Sequence, residues 1–436
     1  MDKSNAGKLP TRDEIPKEFK WRLEDMYPSV EKWEEDYKWV KDNLANLEQH
    51  KGKLGDSADS LLQGLNTYVA LMEKVEKVFV FARMQKDQDN TNTQSQALVD
   101  RAQGLLVEYD SVISFLVPEI LEIPEEKLNG YVESLEGLKI YKHFLEDLMR
   151  KKKHVLSEKE EKILAMAGEV ASAPEDIFTM VNNADMRFPY ITNEDGQEVE
   201  LTHGRYIQFM ESKDRNVRKQ AFKSLYETYG KQKNTIAATL SYSIKKDIFF
   251  SKVRNYPSTL EMALYGDNVP VSVYDNLIMA VENNLGALHK YVSIRKKALK
   301  LDQLHMYDLY APIIQDVDMR IPYSKAKEMV AEGLKPLGER YLSILQEGFN
   351  RGWIDVLENQ GKTSGAYSWG CYDTHPYVLM NYQENINNVF TLAHEMGHAI
   401  HSYLSNKNQP YILAGYKIFV AEVASTLNEI LLTQHL

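Results

Sequence analysis

Long stretches of the 436-residue chain repeat apolar residues at the spacing of an amphipathic α-helix. The apolar positions fall three and four residues apart, which places them on one face and the charged residues on the other. The first face holds Trp33, Tyr37, Val40, Leu44 and Leu47, and similar faces run from Leu61 to Phe79 and from Leu98 to Leu116. Consecutive helices of this kind bury their apolar faces against one another, so the spacing predicts a mainly α-helical fold.

Two segments depart from helical spacing. Residues 188–201 have the pattern of a β-hairpin about the Asp195-Gly196 turn, and Tyr377–Tyr382 has the pattern of a strand. Proline at Pro118 interrupts the first group of helices. The predicted organisation is an N-terminal helical domain (1–117), a helical segment with a hairpin (118–204) and a C-terminal catalytic domain (205–436).

Composition argues against several partners. The net charge of −11 at pH 7 is unlike that of proteins that bind nucleic acid through a basic face. No run of about 18 apolar residues occurs, so we expect no membrane span. The single cysteine, Cys371, favours a reducing compartment, and residues 1–8 lack the apolar core of a secretory signal. We therefore expect a cytoplasmic protein that binds neither nucleic acid nor membranes.

The strongest chemical signal is the segment His394-Glu395-Met396-Gly397-His398. Residues four apart on a helix differ by about 40° in direction, so the two histidines lie on one face, one turn apart. Both imidazoles can then reach one zinc ion. Glu395 is placed to reach a water on that ion, as metal-assisted peptide hydrolysis needs. A surface helix with two histidines is the alternative, but apolar flanks favour a buried helix.

A catalytic zinc site needs a third protein ligand. Leu404 stands where a metzincin has histidine, which excludes that class. His401 lies about 10.5 Å along the helix from His394, too far to share one ion, so it is an outer or substrate-side residue or a packed histidine. Glu422 is the remaining candidate if a second helix returns beside the first; the alternative is an exposed helix charge. Three apolar neighbours favour its burial, and a buried carboxylate needs a partner. These neighbours are Phe419, Val420 and Val423.

These motifs together resemble the thimet oligopeptidase superfamily of zinc metallopeptidases, and its oligoendopeptidase F branch most closely. The likeness extends over nearly the whole chain. The matching segments are residues 391–403, 419–429, 365–370, 375–377 and 211–219.

The resemblance implies an almost all-α ellipsoid with a deep substrate channel, a zincin-type helix pair and a small β-element beside the metal. It implies one Zn²⁺ per chain, bound by His394, His398 and Glu422, with Glu395 as the general base. The expected reaction is internal cleavage of short, unstructured peptides, because folded proteins cannot enter the channel.

The resemblance also implies substrate contacts. The strand that contains Tyr377 and Tyr382 would lie along the peptide backbone, and its free edge could pair with an extended peptide. His375 and His401 complete the predicted substrate-binding residues. Ordinary strand packing is the alternative for the two tyrosines.

Family members continue well beyond the position of Glu422, whereas this chain ends at Leu436. We therefore expect a catalytic domain that is incomplete at its C-terminus. A truncated, weakly active or non-catalytic peptide-binding fragment is the alternative to a working endopeptidase. A gluzincin-type aminopeptidase is a further alternative, but its Gly-x-Met-Glu-Asn element is absent. Cleavage preference, physiological peptides, oligomeric state and the bound metal do not follow from the sequence.

Overall fold

The computed structural model describes residues 10–313 and 320–436, so the prediction about a signal at residues 1–8 lies outside the described part. The predicted mainly α-helical fold with small β-elements is confirmed. No helix in the described ranges has both the length and the apolar character needed to span a membrane. The α-helices are α1 (Val30–Glu48), α2 (Ala58–Asp87), α3 (Thr93–Ile113), α4 (Leu116–Glu122), α5 (Glu125–Ser134), α6 (Lys142–Lys151), α7 (Glu158–Thr179), α8 (His203–Met210), α9 (Arg215–Lys231), α10 (Lys233–Val253), α11 (Thr259–Tyr265), α12 (Val271–Ala298), α13 (Tyr323–Gly333), α14 (Glu339–Asn350), α15 (Ile386–Asn408), α16 (Tyr411–Ala414) and α17 (Ile418–His435). The strands are β1 (Tyr190–Thr192), β2 (Glu198–Glu200), β3 (Ile354–Asp355), β4 (Tyr367–Trp369) and β5 (Tyr377–Leu379).

The chain divides into two compact units. One combines Met1–Lys162 with Met319–Leu436, and the other is Ile163–Asp318. The two units do not coincide with the three segments predicted from the sequence, because the N-terminal helices and the C-terminal segment belong to the same unit. The predicted boundaries after residues 117 and 204 stay a prediction about domain organisation.

The N-terminal helices of the first unit have the predicted amphipathic packing. Trp33, Val40 and Leu47 on α1 are fully buried, and α1 packs against α2 and α3. The indole of Trp33 also donates a hydrogen bond to the carbonyl of Val78 on α2, at 2.8 Å. The apolar spacing therefore identified the buried face of α1 correctly, whereas Met72 on the predicted face of α2 is 36% exposed.

A three-stranded sheet in the same unit has the order β3-β5-β4, with β3 parallel and β4 antiparallel to β5. The predicted free edge of the Tyr377–Tyr382 strand is therefore wrong, because β5 is the central strand and has a neighbour on both sides. The outer side of β3 is covered by an N-terminal segment, through hydrogen bonds from Arg22 N to Gly352 O at 2.8 Å and from Val356 N to Phe19 O at 2.9 Å. Within the described ranges, the edge that neither a strand nor such a segment covers belongs to β4.

A buried carboxylate, Asp355, holds the N-terminal segment to this sheet. Its Oδ2 lies 2.5 Å from Arg12 Nη2, and its Oδ1 lies 2.7 Å from Lys362 Nζ. Burial alone raises the pKa of Asp355, but the charges of Lys362 and Arg12 outweigh burial and hold this pKa below its usual value. The N-terminal segment is thus joined to residues more than 300 positions away in sequence by a desolvated ion cluster.

Helices α15 and α17 form the pair that the sequence predicted. The apolar flanks of the His394–His398 segment are fully buried apart from the half-buried Phe390, as expected for a core helix. The helices approach closely at Gly397, where a Cβ atom would lie 2.8 Å from the carbonyl oxygen of Ala424 and 2.8 Å from the Cα of Ser425. A larger residue at this position would push the two backbones apart. Helix α15 also packs against β4 and β5.

The second unit contains the predicted hairpin, in which β1 and β2 pair antiparallel. Gly196 in its turn has φ +75°, a conformation that favours glycine. The buried carboxylate of Asp308 is held by Arg215 at 2.9 Å and Arg218 at 3.0 Å. This hairpin and ion cluster belong to the second unit. The residues predicted to bind metal or substrate all lie in the first unit.

Candidate metal centre and active site

The structure brings the three predicted metal ligands together at the contact of α15 and α17. The Nε2 atoms of His394 and His398 lie 3.1 Å apart. The Oε2 atom of Glu422 lies 3.6 Å from the first and 3.7 Å from the second. One ligand atom from each residue can therefore face a common point, although the carboxylate comes from a different helix.

These separations of 3.1–3.7 Å lie within about 0.2 Å of those expected for a tetrahedral zinc ion. Ligand atoms about 2.0–2.2 Å from a tetrahedral zinc lie about 3.3–3.6 Å from one another. Within the described residues, His394, His398 and Glu422 form the one group of His, Cys, Asp and Glu side chains close enough together to hold a metal ion. His401 is not part of this group. Two imidazoles and one carboxylate leave a fourth position open, as a catalytic site requires. Burial lowers the pKa of His398, which favours the neutral ring that binds a metal.

Glu422 is in the predicted place but not in the predicted environment. Its side chain is 46% exposed, so the inference of burial from its apolar neighbours is wrong. Those neighbours project from the exposed side of α17. The buried side of α17 consists of Ala421, Ser425, Asn428 and Leu432. The Oγ atom of Ser425 donates a hydrogen bond to Glu422 Oε2 at 2.8 Å and so orients the carboxylate.

Glu395 lies beside the ligands and is only 7% exposed. Burial raises its pKa, the charge of His394 opposes the rise and the nearby Glu422 carboxylate adds to it, so that the pKa is about 7. Among the described residues, no hydrogen-bond donor to the Glu395 carboxylate contributes to this pKa. A carboxylate with a pKa near neutrality is suited to take up and release a proton at pH 7.

Helix α17 also supplies contacts that the sequence analysis missed. Glu429 Oε1 lies 2.5 Å from His394 Nδ1. Asn428 Nδ2 donates to the carbonyl of Ala393 at 2.9 Å, and Asn428 Oδ1 accepts from the hydroxyl of Tyr341 at 2.9 Å. A signal was present for Glu429, because it follows Glu422 by two helical turns and so returns to the same side of the helix.

His401 lies next to the site without joining it. Its ring stacks on Tyr416 with centroids 3.8 Å apart, and burial lowers its pKa. The Tyr416 hydroxyl lies 2.5 Å from Ser402 Oγ, which fixes the ring on which His401 stacks. These contacts agree with an outer or packed histidine, and a substrate role for His401 stays a prediction.

His375 is held by the core of the first unit. Its ring stacks on Trp353 with a centroid distance of 5.4 Å and an interplanar angle of 5°. Its Nε2 lies 3.1 Å from Asp25 Oδ2, and its Nδ1 lies 2.8 Å from the carbonyl of Pro376. Both ring nitrogens thus have partners within the protein. Substrate binding by His375 stays a prediction.

The two predicted substrate tyrosines are buried in the sheet region. The hydroxyl of Tyr377 donates to the carbonyl of Arg22 at 3.3 Å, and that of Tyr382 donates to the carbonyl of Ile321 at 2.7 Å. Strand packing, the alternative that the sequence left open, accounts for both side chains. Substrate contact by either tyrosine stays a prediction.

Comparison with known proteins defines the class to which this fold and site belong. Residues 208–436 match the description "Peptidase family M3", and residues 119–188 match "Oligopeptidase F". Oligopeptidase PepF of Bacillus subtilis is 48% identical over 435 residues, which are 100% of this chain and 65% of that protein. An oligoendopeptidase F homolog of Lactococcus lactis subsp. lactis is 41% identical over 98% of this chain and 71% of its own length.

A solved structure agrees with these relatives. The crystal structure of oligoendopeptidase-F from Enterococcus faecium superposes with a TM-score of 0.70 at 35% identity, over 93% of this chain and 67% of that one. The class is therefore that of helical peptidases. The chain belongs to peptidase family M3, in its oligoendopeptidase F branch. It spans about two thirds of the length of these relatives.

Proposed function

We propose that this chain is a zinc-dependent endopeptidase that hydrolyses internal bonds of short, unstructured peptides. The observation that carries the proposal is the close approach of His394, His398 and Glu422, with the buried carboxylate of Glu395 beside them. Membership of family M3 supports it, because members of this family are in general zinc metallopeptidases.

The three ligands would hold one Zn²⁺ per chain. When bound, zinc lowers the pKa of a water molecule and polarises the carbonyl of the scissile bond. Glu395 takes the proton from the attacking water and later passes it to the leaving amine. Its burial suits both steps, because a carboxylate with a raised pKa holds the proton between them at neutral pH.

We further propose that the peptide backbone pairs with the free edge of β4. This replaces the strand proposed from the sequence, since β5 is already paired on both sides. Strand β4 packs against α15, the helix of His394 and Glu395, and Trp369 at its end is 37% exposed. An extended peptide added to this edge would form main-chain hydrogen bonds independent of its side chains. Such pairing requires a substrate that is unfolded.

The test is turnover of an internally quenched peptide that is blocked at both ends. Turnover by the 436-residue chain should stop on chelation and return with zinc. Glu395→Gln should keep one zinc per chain and lose turnover. The control Glu347→Gln removes a carboxylate of α14 that is paired with Arg351, and it should keep both zinc and turnover. Undiminished hydrolysis by Glu395→Gln would contradict the assigned base. Turnover that requires a free N-terminus would favour an aminopeptidase.

A second candidate is a weakly active or non-catalytic peptide-binding fragment of such an enzyme. The observation in its favour is that about a third of the length of these relatives lies outside the matched region. Oxyanion donors outside the matched region can be worth roughly 10²–10³ in rate. Zinc and peptide binding without cleavage would favour this candidate.

A further inference from the structure

Each ring nitrogen of His394 has a different partner. Nε2 faces the proposed metal position, with His398 Nε2 at 3.1 Å and Glu422 Oε2 at 3.6 Å. Nδ1 points the other way, 2.5 Å from Glu429 Oε1. One carboxylate of α17 thus lies on the ligand side of the ring, and a second carboxylate of the same helix lies on the opposite side.

The second contact determines which nitrogen of His394 carries hydrogen. An ionised carboxylate only accepts hydrogen bonds, so Nδ1 must be the donor. The lone pair of a neutral ring is then on Nε2, directed at the metal position. Outer carboxylates of this kind fix the orientation of a ligand histidine and raise its basicity.

The position of Glu429 is fixed by its neighbour in sequence. Asn428 is 1% exposed and is bonded to the carbonyl of Ala393, the residue before His394. This bond sets the register of α17 against α15 at the point where Glu429 meets the ring. The side chain of Glu429 is 39% exposed, and in the described ranges its ion-pair partner is His394. Its carboxylate is therefore directed at the ligand.

We propose that Glu429 is a positioning residue that holds His394 in the orientation and tautomer needed to bind the metal. The proposal rests on the zinc site proposed above. Removing the carboxylate should weaken zinc binding without unfolding the chain, because Asn428 and the buried side of α17 still hold the helix in place.

The test is a zinc dissociation constant measured by competition with a chromophoric chelator. Glu429→Ala should raise the constant roughly 10- to 100-fold. Glu429→Gln should raise it less, because its amide oxygen can still accept the Nδ1 hydrogen. Glu347→Gln is the matched control for loss of one carboxylate and should leave the constant unchanged. Melting temperatures of the metal-free chains should agree among the variants.

A second measurement does not depend on zinc. The metal-free wild type is labelled with ¹⁵N-histidine, and the His394 resonances are assigned with a His394→Asn variant. The His394 Nδ1 resonance should have the shift of a protonated nitrogen. In Glu429→Ala this nitrogen should no longer have that shift. An unprotonated Nδ1 in the wild type would overturn the proposal. A Glu429→Ala chain that binds zinc as tightly as the wild type would also overturn it. The same holds if Glu429→Ala lowers only the stability of the metal-free chain. A wild type that binds no zinc refutes the proposed function instead, and the nitrogen shift then decides this proposal.

Discussion

Helix α15 has its middle, from Val389 to Ile400, largely within the core, whereas α17 buries only one of its own sides. The ligand histidines and Glu395 are on α15, among side chains that are fully buried. The carboxylates Glu422 and Glu429 are on α17, whose other side exposes a row of apolar residues. The row is Ile418, Phe419, Val420, Val423, Leu427 and Ile430. The core thus fixes the two histidine ligands, whereas Glu422 is held through the contacts that one side of α17 makes with α13 and α15.

The largest expected effect is on the covered side, where Asp355 lies in the sheet against which α15 packs. Asp355→Asn leaves Arg12 and Lys362 without their buried carboxylate and should lower the free energy of unfolding by about 3–5 kcal/mol at pH 7. Asp42→Asn, which breaks an exposed ion pair with Lys38, should change it by less than about 1 kcal/mol. Chemical denaturation measures both; equal losses would show that the cluster is not desolvated.

The same residue predicts how stability depends on pH. The pKa of Asp355 is lower in the folded than in the unfolded chain, where a carboxyl of this type has a pKa of about 3.9. Its contribution is therefore complete above the unfolded pKa and is lost as the pH falls towards the folded value. Denaturation below about pH 4 should show this loss in the wild type and a smaller loss in Asp355→Asn.

The next effect separates ligand from helix. Glu422→Gln should raise the zinc dissociation constant by more than the roughly 100-fold expected for an outer partner, because it removes a ligand charge. The melting temperature of the metal-free chain should stay the same, since this side chain is half exposed. Metal competition and calorimetry measure the two quantities. Unaltered zinc affinity would show that α17 does not supply the third ligand.

A smaller effect tests the contact between α15 and α17. Gly397→Ala introduces a Cβ 2.8 Å from the backbone of α17. Overpacking of this kind costs about 1–3 kcal/mol, of which about 1 kcal/mol is offset by the higher helix propensity of alanine. Gly104→Ala on α3 has open space and should stabilise by up to about 1 kcal/mol. If both substitutions stabilise the chain, the two helices are not in tight contact.

The smallest effect is expected on the exposed side of α17. Leu427→Ala should change the free energy of unfolding by less than about 0.5 kcal/mol and reduce binding of an apolar dye. Leu432→Ala, the same replacement on the buried side of this helix, should cost about 2–5 kcal/mol. Similar losses for the two variants would mean that α17 is covered on both sides in solution.

The sequence predicted the helices and the shared helix face of His394 and His398 because both depend on local spacing, whereas Glu422 as third ligand was implied by the family resemblance and stays a prediction. The apolar repeat located α1, and the His394–His398 spacing fixed one face of α15. Burial of Glu422 was wrong because nearest neighbours in sequence lie on other sides of a helix. The free strand edge was wrong because strand order depends on contacts between distant segments, such as β3 with β5. Glu429 was missed because its partner, His394, is on another helix.

The sheet beside α15 can grow in one direction only. Residues Phe19 and Arg22 close the outer side of β3 by backbone hydrogen bonds, so within residues 10–313 and 320–436 the edge of this sheet that stays open to an incoming strand is that of β4. The N-terminal segment therefore prevents strands of other molecules from pairing with β3. Without it, each molecule would present two open edges, and molecules with two open edges can join into chains rather than accept a single peptide.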